Sequence, residues 1–287
     1  MKHIILFCIA FTAQAKVLNF ETTRMKSTAG AGNASLLMNE STLNNPAPIA
    51  FFKESSLYFE RTAATYSGEE NSQELEASNY AFIASDASKN LRGSVALIKH
   101  NEGPSSLEQF NVSLASTIGK SSSMGIAYRN VQKEYDYRGT RIREDYKIFV
   151  PGVFHAVSND LSIGLTLIDP TRESINETKA VVGFQYRILD MMLIMLDLGA
   201  DYEGPMSDTS VVRAATQIKV FDDFFLRFGA FEDKDLKERG TGFGVGWVGP
   251  KLVFNFAIRN TKVSESEELR QENQDIKDTS FSVAYRF

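Results

Sequence analysis

The chain ends with Phe281-Ser282-Val283-Ala284-Tyr285-Arg286-Phe287, and this stretch decides the fold. Large apolar side chains alternate in it with small or polar ones, which is the two-residue period of a β-strand. The same period recurs upstream, for example over 251–260 and 177–188. A helix would instead repeat its apolar residues every three or four positions. The pattern therefore predicts an all-β chain.

Fourteen segments with this period follow one another between residues 55 and 287. Most are close to the roughly 9–11 residues that a tilted strand needs to cross a bilayer. Their connections alternate between long and short, as in an up-and-down barrel with short periplasmic turns and longer outer loops. The expected long connections include 101–106 and 132–144. We predict strands at 55–65, 77–86, 92–100, 107–117, 121–131, 145–156, 160–169, 177–188, 191–202, 209–220, 224–232, 240–248, 251–260 and 279–287.

A secreted β-sandwich is the alternative, because it also alternates apolar and polar residues between frequent turns. A Greek-key sandwich gives no reason for strict alternation of long and short connections. The second face of the strands is also small or uncharged as often as it is charged, which suits a filled barrel interior. We therefore predict that residues 55–287 form a fourteen-stranded antiparallel transmembrane up-and-down β-barrel. Closure removes the unpaired strand edges that lipid cannot satisfy.

Composition excludes several classes of protein. The 287 residues carry 31 Lys plus Arg and 36 Asp plus Glu, a net charge of −5, and 43% are hydrophobic. Global disorder is excluded, and no basic excess exists for binding nucleic-acid phosphates. After the N-terminus no apolar run reaches about 18 residues, which excludes a helical membrane protein.

Residues 1–15 have the pattern of a cleaved signal peptide. Lys2 gives a positive start, Ile4 to Phe11 are apolar, and Ala13-Gln14-Ala15 is a small-x-small cleavage site. The one cysteine, Cys8, lies in this segment. The exported chain would then lack any disulfide, thiolate nucleophile or cysteine-bound metal.

The region before the first strand carries a family resemblance. Gly30-Ala31-Gly32-Asn33-Ala34 is followed by Asn45-Pro46-Ala47, then by Phe51 and a strand at Leu57-Tyr58-Phe59. This order resembles the FadL-type superfamily of outer-membrane barrels, which includes fatty-acid and aromatic-hydrocarbon transporters and also PorV-like and TraF-like proteins. The resemblance implies that residues 16–54 fold inside the barrel as a plug, with Gly30, Gly32, Asn33, Asn45, Pro46 and Ala47 as the plug motif. The C-terminal residues Phe281, Val283, Tyr285 and Phe287 also resemble the signal that bacterial barrels present to the barrel-assembly machinery.

Inward-facing glycines give a physical reason to expect a plug. A fourteen-stranded barrel is wider than one that its own side chains can fill. Missing side chains leave room for another backbone to approach the wall. The run at 242–246 lacks the lysine of a nucleotide-binding loop. We expect clearance for the plug at Gly242, Gly244 and Gly246, and also at Gly125, Gly164, Gly183, Gly199 and Gly229.

Charged residues on the inward face are candidate lumen-lining residues: Glu60, Arg129, Arg187, Asp197, Asp201, Arg213, Arg227 and Arg259. Such a wall could steer an ionic solute or hold a carboxylate through a bidentate arginine. Alternatively, these charges pair with one another and with the plug, because buried charges need partners. Asp197 and Asp201 are then expected to pair with Arg187 or Arg213.

Pro151-Gly152 interrupts the sixth predicted strand. Because proline cannot donate to the ladder, it marks a bulge or a kink. Two interpretations follow, a lateral opening through which hydrophobic cargo leaves, or a bend that accommodates the plug.

No enzymatic site is predicted. Only His100 and His155 remain after His3, and they lie far apart in the sequence. We see no nucleophile with a base beside it, and we expect no metal and no cofactor.

The resemblance implies an outer-membrane channel for hydrophobic or amphipathic small molecules. The alternative is a non-transporting, PorV-like barrel that acts as a secretion partner, scaffold or adhesion protein. Charged outer loops favour this alternative. The expected partners are outer-membrane lipid, the assembly machinery, a hydrophobic small-molecule ligand and a protein partner at the outer loops.

Overall fold

The computed structural model describes residues 20–36, 39–68, 75–88, 91–102, 105–137, 140–173, 178–202, 204–266 and 273–287. The predicted signal peptide, residues 1–15, lies outside the described residues. Among the described residues, no helix is long and apolar enough to span a membrane.

The chain forms a closed barrel of fourteen antiparallel strands, each paired with its neighbours in sequence, which confirms the predicted architecture. The first and last strands close the ring, from Ser56 opposite Arg286 to Gly68 opposite Gln274. The strands are β1 (Ser56–Gly68), β2 (Leu75–Asp86), β3 (Arg92–Glu102), β4 (Ser105–Thr117), β5 (Ser122–Tyr137), β6 (Thr140–Ala156), β7 (Leu161–Ile168), β8 (Lys179–Ile188), β9 (Met192–Ala200), β10 (Val211–Lys219), β11 (Phe224–Asp233), β12 (Glu238–Val248), β13 (Leu252–Val263) and β14 (Gln274–Arg286).

The two faces of the wall are inverted relative to a water-soluble sheet. In β1, Ser56, Tyr58 and Glu60 are buried, whereas Leu57 and Phe59 are 42% and 47% exposed. Around the barrel the exposed face carries large apolar residues, whereas the buried face combines many polar residues with apolar ones such as Ile83 and Phe154. A sandwich in water would hide its apolar face. The inversion is typical of a barrel with lipid around it and a polar interior.

Aromatic residues mark the ends of the strands that the short connections join. The rings of Trp247 and Phe254 stack with centroids 5.7 Å apart, and those of Tyr285 and Phe287 stack at 6.0 Å. Phe281, Tyr285 and Phe287 are all exposed on the outward side. Membrane barrels carry such aromatic residues at the lipid–water boundary.

Several predicted connections were wrong. Residues 132–144 were expected to form a loop, but β5 and β6 pair residue for residue from Ser122 opposite His155 to Tyr137 opposite Thr140. Residues 101–106 also lie mostly in β3 and β4. Charged residues suggested loops at both places, yet a strand whose side chains reach water tolerates charge without losing its backbone pairing. The β5–β6 hairpin therefore extends much further than its composition indicated.

The N-terminal segment, defined here as residues 20–36 and 39–52, is short in regular structure. It contains the helix α1 (Thr23–Ser27) and two 3₁₀ turns at Glu40–Thr42 and Ala47–Phe51. Thr22 caps α1 by accepting a hydrogen bond from the Met25 amide at 3.3 Å. A second helix, α2 (Met206–Thr209), lies in the connection between β9 and β10. Most of the N-terminal segment is buried, and it contacts strands on all sides of the barrel.

Candidate functional site

The richest polar site joins α1 to the wall at Glu60. This carboxylate is fully buried and accepts hydrogen bonds from the Thr23 amide at 2.7 Å and from the Lys26 Nζ at 2.8 Å. The hydroxyls of Thr62 and Ser280 donate at 2.9 and 3.0 Å, and the Tyr58 hydroxyl donates as well. A buried charge is tolerated when it is paired and hydrogen-bonded in this way. Glu60 therefore fixes α1 to β1 and β14.

Two further wall charges are matched by the N-terminal segment. Arg259 of β13 donates to the carboxylate of Glu21, and its guanidinium lies 4.3 Å from the centroid of the Phe231 ring. Asp197 of β9 accepts from the amides of Gly32 at 2.9 Å and Asn33 at 3.0 Å. Consecutive amides of this kind form a concave donor site for an anion.

Arg227 of β11 binds the side-chain amides of other wall residues. Its guanidinium is 1% exposed and donates to Gln217 Oε1 at 2.8 Å and to Asn255 Oδ1 at 2.9 Å. Arg24 of α1 donates to the same Gln217 oxygen at 3.0 Å. Burial lowers the pKa of Arg24, and the neighbouring Glu40 carboxylate opposes that shift.

The remaining predicted lumen residues lie at separate places in the structure. Arg129 donates to the Leu43 carbonyl of the N-terminal segment. Arg213 lies opposite Asp197 in register and contacts the turn at Gly30. Asp201 follows the end of β9 and accepts from the Thr178 hydroxyl.

Arg187 lies on the inward-facing side of β8, at the end of the strand. Its side chain is 41% exposed and lies 3.3 Å from Asp190 at the β8–β9 turn. Of the expected pairings, that of Asp197 with Arg213 is supported by register and charge, since Arg213 lies opposite Asp197 and acts on it electrostatically. The backbone amides of the N-terminal segment bind Asp197, which is a partner that strand register does not reveal.

Wall glycines meet the backbone of the N-terminal segment. A Cβ at Gly125 would lie 2.7 Å from the Ala47 amide nitrogen, and one at Gly164 would lie 2.3 Å from the Asn33 carbonyl. A Cβ at Gly242 would lie 2.0 Å from the Lys26 carbonyl oxygen. A Cβ at Gly183 or Gly229 would likewise meet backbone atoms of this segment, whereas one at Gly152 or Gly244 would meet its side chains.

Two glycines do not fit the expectation of clearance for this segment. Gly246 faces the Arg227 guanidinium, whose nitrogens lie 2.6 and 2.7 Å from an added Cβ. Gly199 faces the neighbouring strand at Ala180 and Val181. The inward position of a glycine does not reveal whether it leaves room for the N-terminal segment or for another side chain of the wall.

Asn33 and Asn45 place side-chain amides against strand carbonyls. Asn45 Nδ2 donates to the Val153 carbonyl of β6 at 3.1 Å and to the Asn33 carbonyl at 2.9 Å. Asn33 Nδ2 donates to the Val181 carbonyl of β8 at 2.9 Å, and its Oδ1 accepts from Thr166 of β7. The two amides thus contact the wall on both sides of β7. Pro46 and Ala47 continue this turn beneath Gly125.

The wall is thinly paired where these amides bind. β7 is the shortest strand, and β6 pairs with it only from Gly152 opposite Thr166 to Ala156 opposite Ser162. Pro151 interrupts this ladder because it supplies no amide proton, and beyond it the Asp169 amide donates to the Phe149 carbonyl at 3.0 Å. We call this junction the β6–β7 seam.

An apolar groove of about 510 Å³ lies on the exposed side of the wall at this seam. Its lining includes Leu114, Ile126, Pro151, Val153 and Leu165. Only the backbone at Gly125 and Gly152 separates the groove from the Asn45–Ala47 turn. The geometry brings an apolar outer surface, a weak ladder and the N-terminal segment to one place.

Near the opposite end of the strands, Lys179 pairs with Asp233 at 2.6 Å and with Asp235 at 3.3 Å. The Tyr202 hydroxyl donates to the carbonyls of Ile168 and Lys179. Partial burial raises the pKa of Tyr202 to about 12, and the nearby Asp169 and Asp201 add to this shift. These contacts tie the start of β8 to the β9–β10 and β11–β12 connections.

Sequence reasoning missed the partners that the N-terminal segment supplies. Glu21, Arg24, Lys26 and Glu40 are the charged residues of 17–52, an otherwise uncharged stretch. That isolation was the available signal, because a charge within a buried segment needs a partner on the wall. The two histidines lie apart, His100 buried on β3 and His155 exposed with Nδ1 2.8 Å from the Ser122 hydroxyl. Among the described residues, no group of three or more His, Cys, Asp or Glu is placed to hold a metal.

Comparisons with solved structures find the same fold. The Pseudomonas putida toluene transporter TodX matches with a TM-score of 0.68 at 11% identity, over 94% of this chain and 98% of that one. The CymD monoaromatic hydrocarbon channel matches at 0.67 and 10% identity, over 93% and 97%. A Pseudomonas aeruginosa FadL homologue matches at 0.55 and 11% identity, over 93% and 98%. The predicted resemblance to FadL-type barrels is thereby confirmed at the level of the fold.

No protein-family model matches this sequence. No curated protein matches it either.

Proposed function

We propose that this protein is an outer-membrane channel for hydrophobic or amphipathic small molecules, with the N-terminal segment as its plug. The fold shared with hydrocarbon channels and the apolar exposed face support this proposal. The observation that carries it is the β6–β7 seam, where an apolar groove, a broken ladder and the plug turn meet.

The proposed route follows from that arrangement. Cargo that reaches the barrel interior passes the plug and leaves sideways through the seam into the apolar groove. Asn45 holds the closed state, because its amide donates to the β6 carbonyl of Val153 next to the broken ladder. Lateral release suits apolar cargo, since it moves from the barrel to lipid without crossing water.

A staple across the seam tests this route. Val153 and Leu165 are register partners on the exposed face of β6 and β7. Directly opposed strand residues have the Cα separation that a disulfide needs. The variant Val153→Cys with Leu165→Cys should lose uptake of labelled toluene when oxidised and regain it on reduction. The matched control, Val182→Cys with Leu198→Cys, staples the regularly paired β8–β9 ladder and should leave uptake unchanged.

The outcomes separate two claims. Uptake that continues through the oxidised seam staple would refute the lateral route while leaving the channel intact. No uptake by the wild-type protein, compared with cells that lack it, would refute the channel itself.

A non-transporting scaffold is the second candidate. The observation that favours it is the charged end of the β5–β6 hairpin, where Arg141 and Arg143 approach Glu134 at 2.6 and 3.8 Å. The two arginine side chains are exposed and offer a polar surface to a protein partner. Absence of uptake, together with a stable complex that is lost when Arg141 and Arg143 are replaced by Ala, would favour this function.

A further inference from the structure

A partly exposed arginine, Arg24, and a buried one, Arg227, meet between α1 and the wall without a direct carboxylate partner. Arg24 and Arg227 both donate to Gln217 Oε1, and Arg227 also donates to Asn255 Oδ1. Both acceptors are neutral amides that are themselves at least nine-tenths buried. Among the described residues, no carboxylate oxygen lies within 4.0 Å of either guanidinium.

This arrangement differs from that of three other buried cations of the interior. Lys26 lies 2.8 Å from Glu60, Lys179 lies 2.6 Å from Asp233, and Arg259 binds Glu21 directly. Glu40 acts electrostatically on Arg24 and Arg227, but it forms a salt bridge with neither. Two positive charges therefore face one more distant negative charge. A buried charge without a close counter-charge is costly, and a bound anion would remove that cost.

The donor geometry also has unused capacity. Arg24 Nε has no hydrogen-bond partner. Arg227 uses Nε and Nη1 for its two amide acceptors. The Arg227 guanidinium lies directly against Gly246, since an added Cβ there would lie 2.6 and 2.7 Å from its two terminal nitrogens. Guanidinium groups bind planar oxyanions such as carboxylates in a bidentate manner.

We propose that Arg24 and Arg227 form an oxyanion-binding site between the plug and β11. The ligand is a carboxylate or a similar singly charged oxyanion. It comes either from the head of an amphipathic cargo, which rests on the proposed channel function, or from a small free anion. Binding neutralises the pair that joins α1 to the wall.

Equilibrium binding to the detergent-solubilised full-length protein tests the site. The probes are labelled laurate, labelled dodecanol and acetate as a competitor. Arg227→Met should weaken laurate binding by at least about tenfold, because charge-assisted hydrogen bonds are lost. Arg227→Lys should recover part of that loss, and dodecanol binding should not change. Arg187→Met, at a turn outside this site, is the matched control and should bind laurate like the wild type.

A second variant keeps the test decisive if Arg227→Met fails to fold. Gln217→Glu places a carboxylate within reach of both guanidiniums without a change in side-chain shape. It should raise the unfolding midpoint and abolish laurate binding, because the new carboxylate takes the place of the ligand. Unchanged laurate affinity in both variants would overturn the site, as would a wild-type protein that binds neither laurate nor acetate.

Competition identifies the source of the anion. Displacement of laurate by acetate at similar concentrations would assign the site to a free small anion. Displacement only at far higher concentrations would assign it to the head of an amphipathic molecule. A wild-type protein that takes up no toluene yet binds laurate through Arg227 would refute the channel and keep the site.

Discussion

The two ends of the N-terminal segment contact the wall through different chemistry. At α1, charged side chains bind charged side chains, as in the pair of Lys26 and Glu60 at 2.8 Å. At the Asn45–Ala47 turn, amide groups and backbone lie against Gly125, Gly152 and the Val153 carbonyl. Breaking one partner of a buried ion pair costs about 3–5 kcal/mol, whereas one neutral hydrogen bond contributes about 1 kcal/mol. We infer from this difference that α1 is the stronger attachment of the segment, called the anchor, and that the turn beside the β6–β7 seam is the weaker one.

The largest expected effect comes from breaking the anchor. Glu60→Leu leaves Lys26 buried without its carboxylate, and four other donors lose their acceptor. We expect the free energy of unfolding to fall by about 3–5 kcal/mol, measured by urea titration in lipid vesicles. Adding Lys26→Met should restore a large part of the loss, since it removes the stranded charge. If the free energy of unfolding fell by less than about 1 kcal/mol, the assignment of α1 as the anchor would be contradicted.

Filling the glycine contact should have an intermediate effect. Gly125→Val introduces a Cβ 2.7 Å from the Ala47 nitrogen and the Pro46 carbonyl carbon, both of which are backbone atoms. We expect a loss of about 1–3 kcal/mol from overpacking, measured in the same titration. Gly119→Val is the control, because a Cβ at Gly119 has nothing within 4 Å. Equal stability of the two variants would show that the turn does not press on the wall.

Removing one amide of the turn should have a smaller effect on stability. Asn45→Ala deletes two donated hydrogen bonds and one accepted from the Ala47 amide at 3.0 Å. We expect a loss of about 1–2 kcal/mol and faster hydrogen exchange of the turn relative to α1. The neighbouring Asn44→Ala is the matched control, because Asn44 Nδ2 has no hydrogen-bond partner. Slower or unchanged hydrogen exchange of the turn in Asn45→Ala would contradict the assignment of α1 as the anchor and of the turn as the weaker attachment.

The smallest change in stability is expected from an ion pair on the exposed face. Lys99 and Glu108 lie 2.7 Å apart, but their side chains are 54% and 56% exposed. Lys99→Ala should therefore change stability by less than about 1 kcal/mol. A change comparable with that of Glu60→Leu would mean that burial is not what distinguishes the anchor.

Strand existence could be read from the sequence, but strand extent could not. The alternation over Phe281–Phe287 repeats often enough to give fourteen strands and their antiparallel order. The hairpin of β5 and β6 was missed beyond residue 131 because charge was interpreted as loop. A side chain that points into water places little demand on hydrophobicity, so periodicity fades while backbone pairing continues.

The sequence predicted which residues of the candidate site share a face of the wall, but not which partners they bind. Glu60, Asp197, Arg227 and Arg259 could be assigned to one face of their strands by period alone. Their partners could not, since Asp197 binds the Gly32 amide 165 positions away in the chain. Such contacts depend on the path of a segment with little regular structure, and no periodic signal specifies that path.

The hydrogen bonds around Glu60 have a consequence for how the ring finds its register. Each of the other neighbouring strand pairs is joined by its own connection, which limits how far one strand can slide along the next. The pairing of β1 with β14 has no such connection, and a slip by two residues would keep every side chain on its proper face. Glu60 and Thr62 of β1 and Ser280 of β14 bond across this junction, and Thr23 bonds to both strands. Because the N-terminal segment bonds to both strands, its contacts favour one register of β1 against β14.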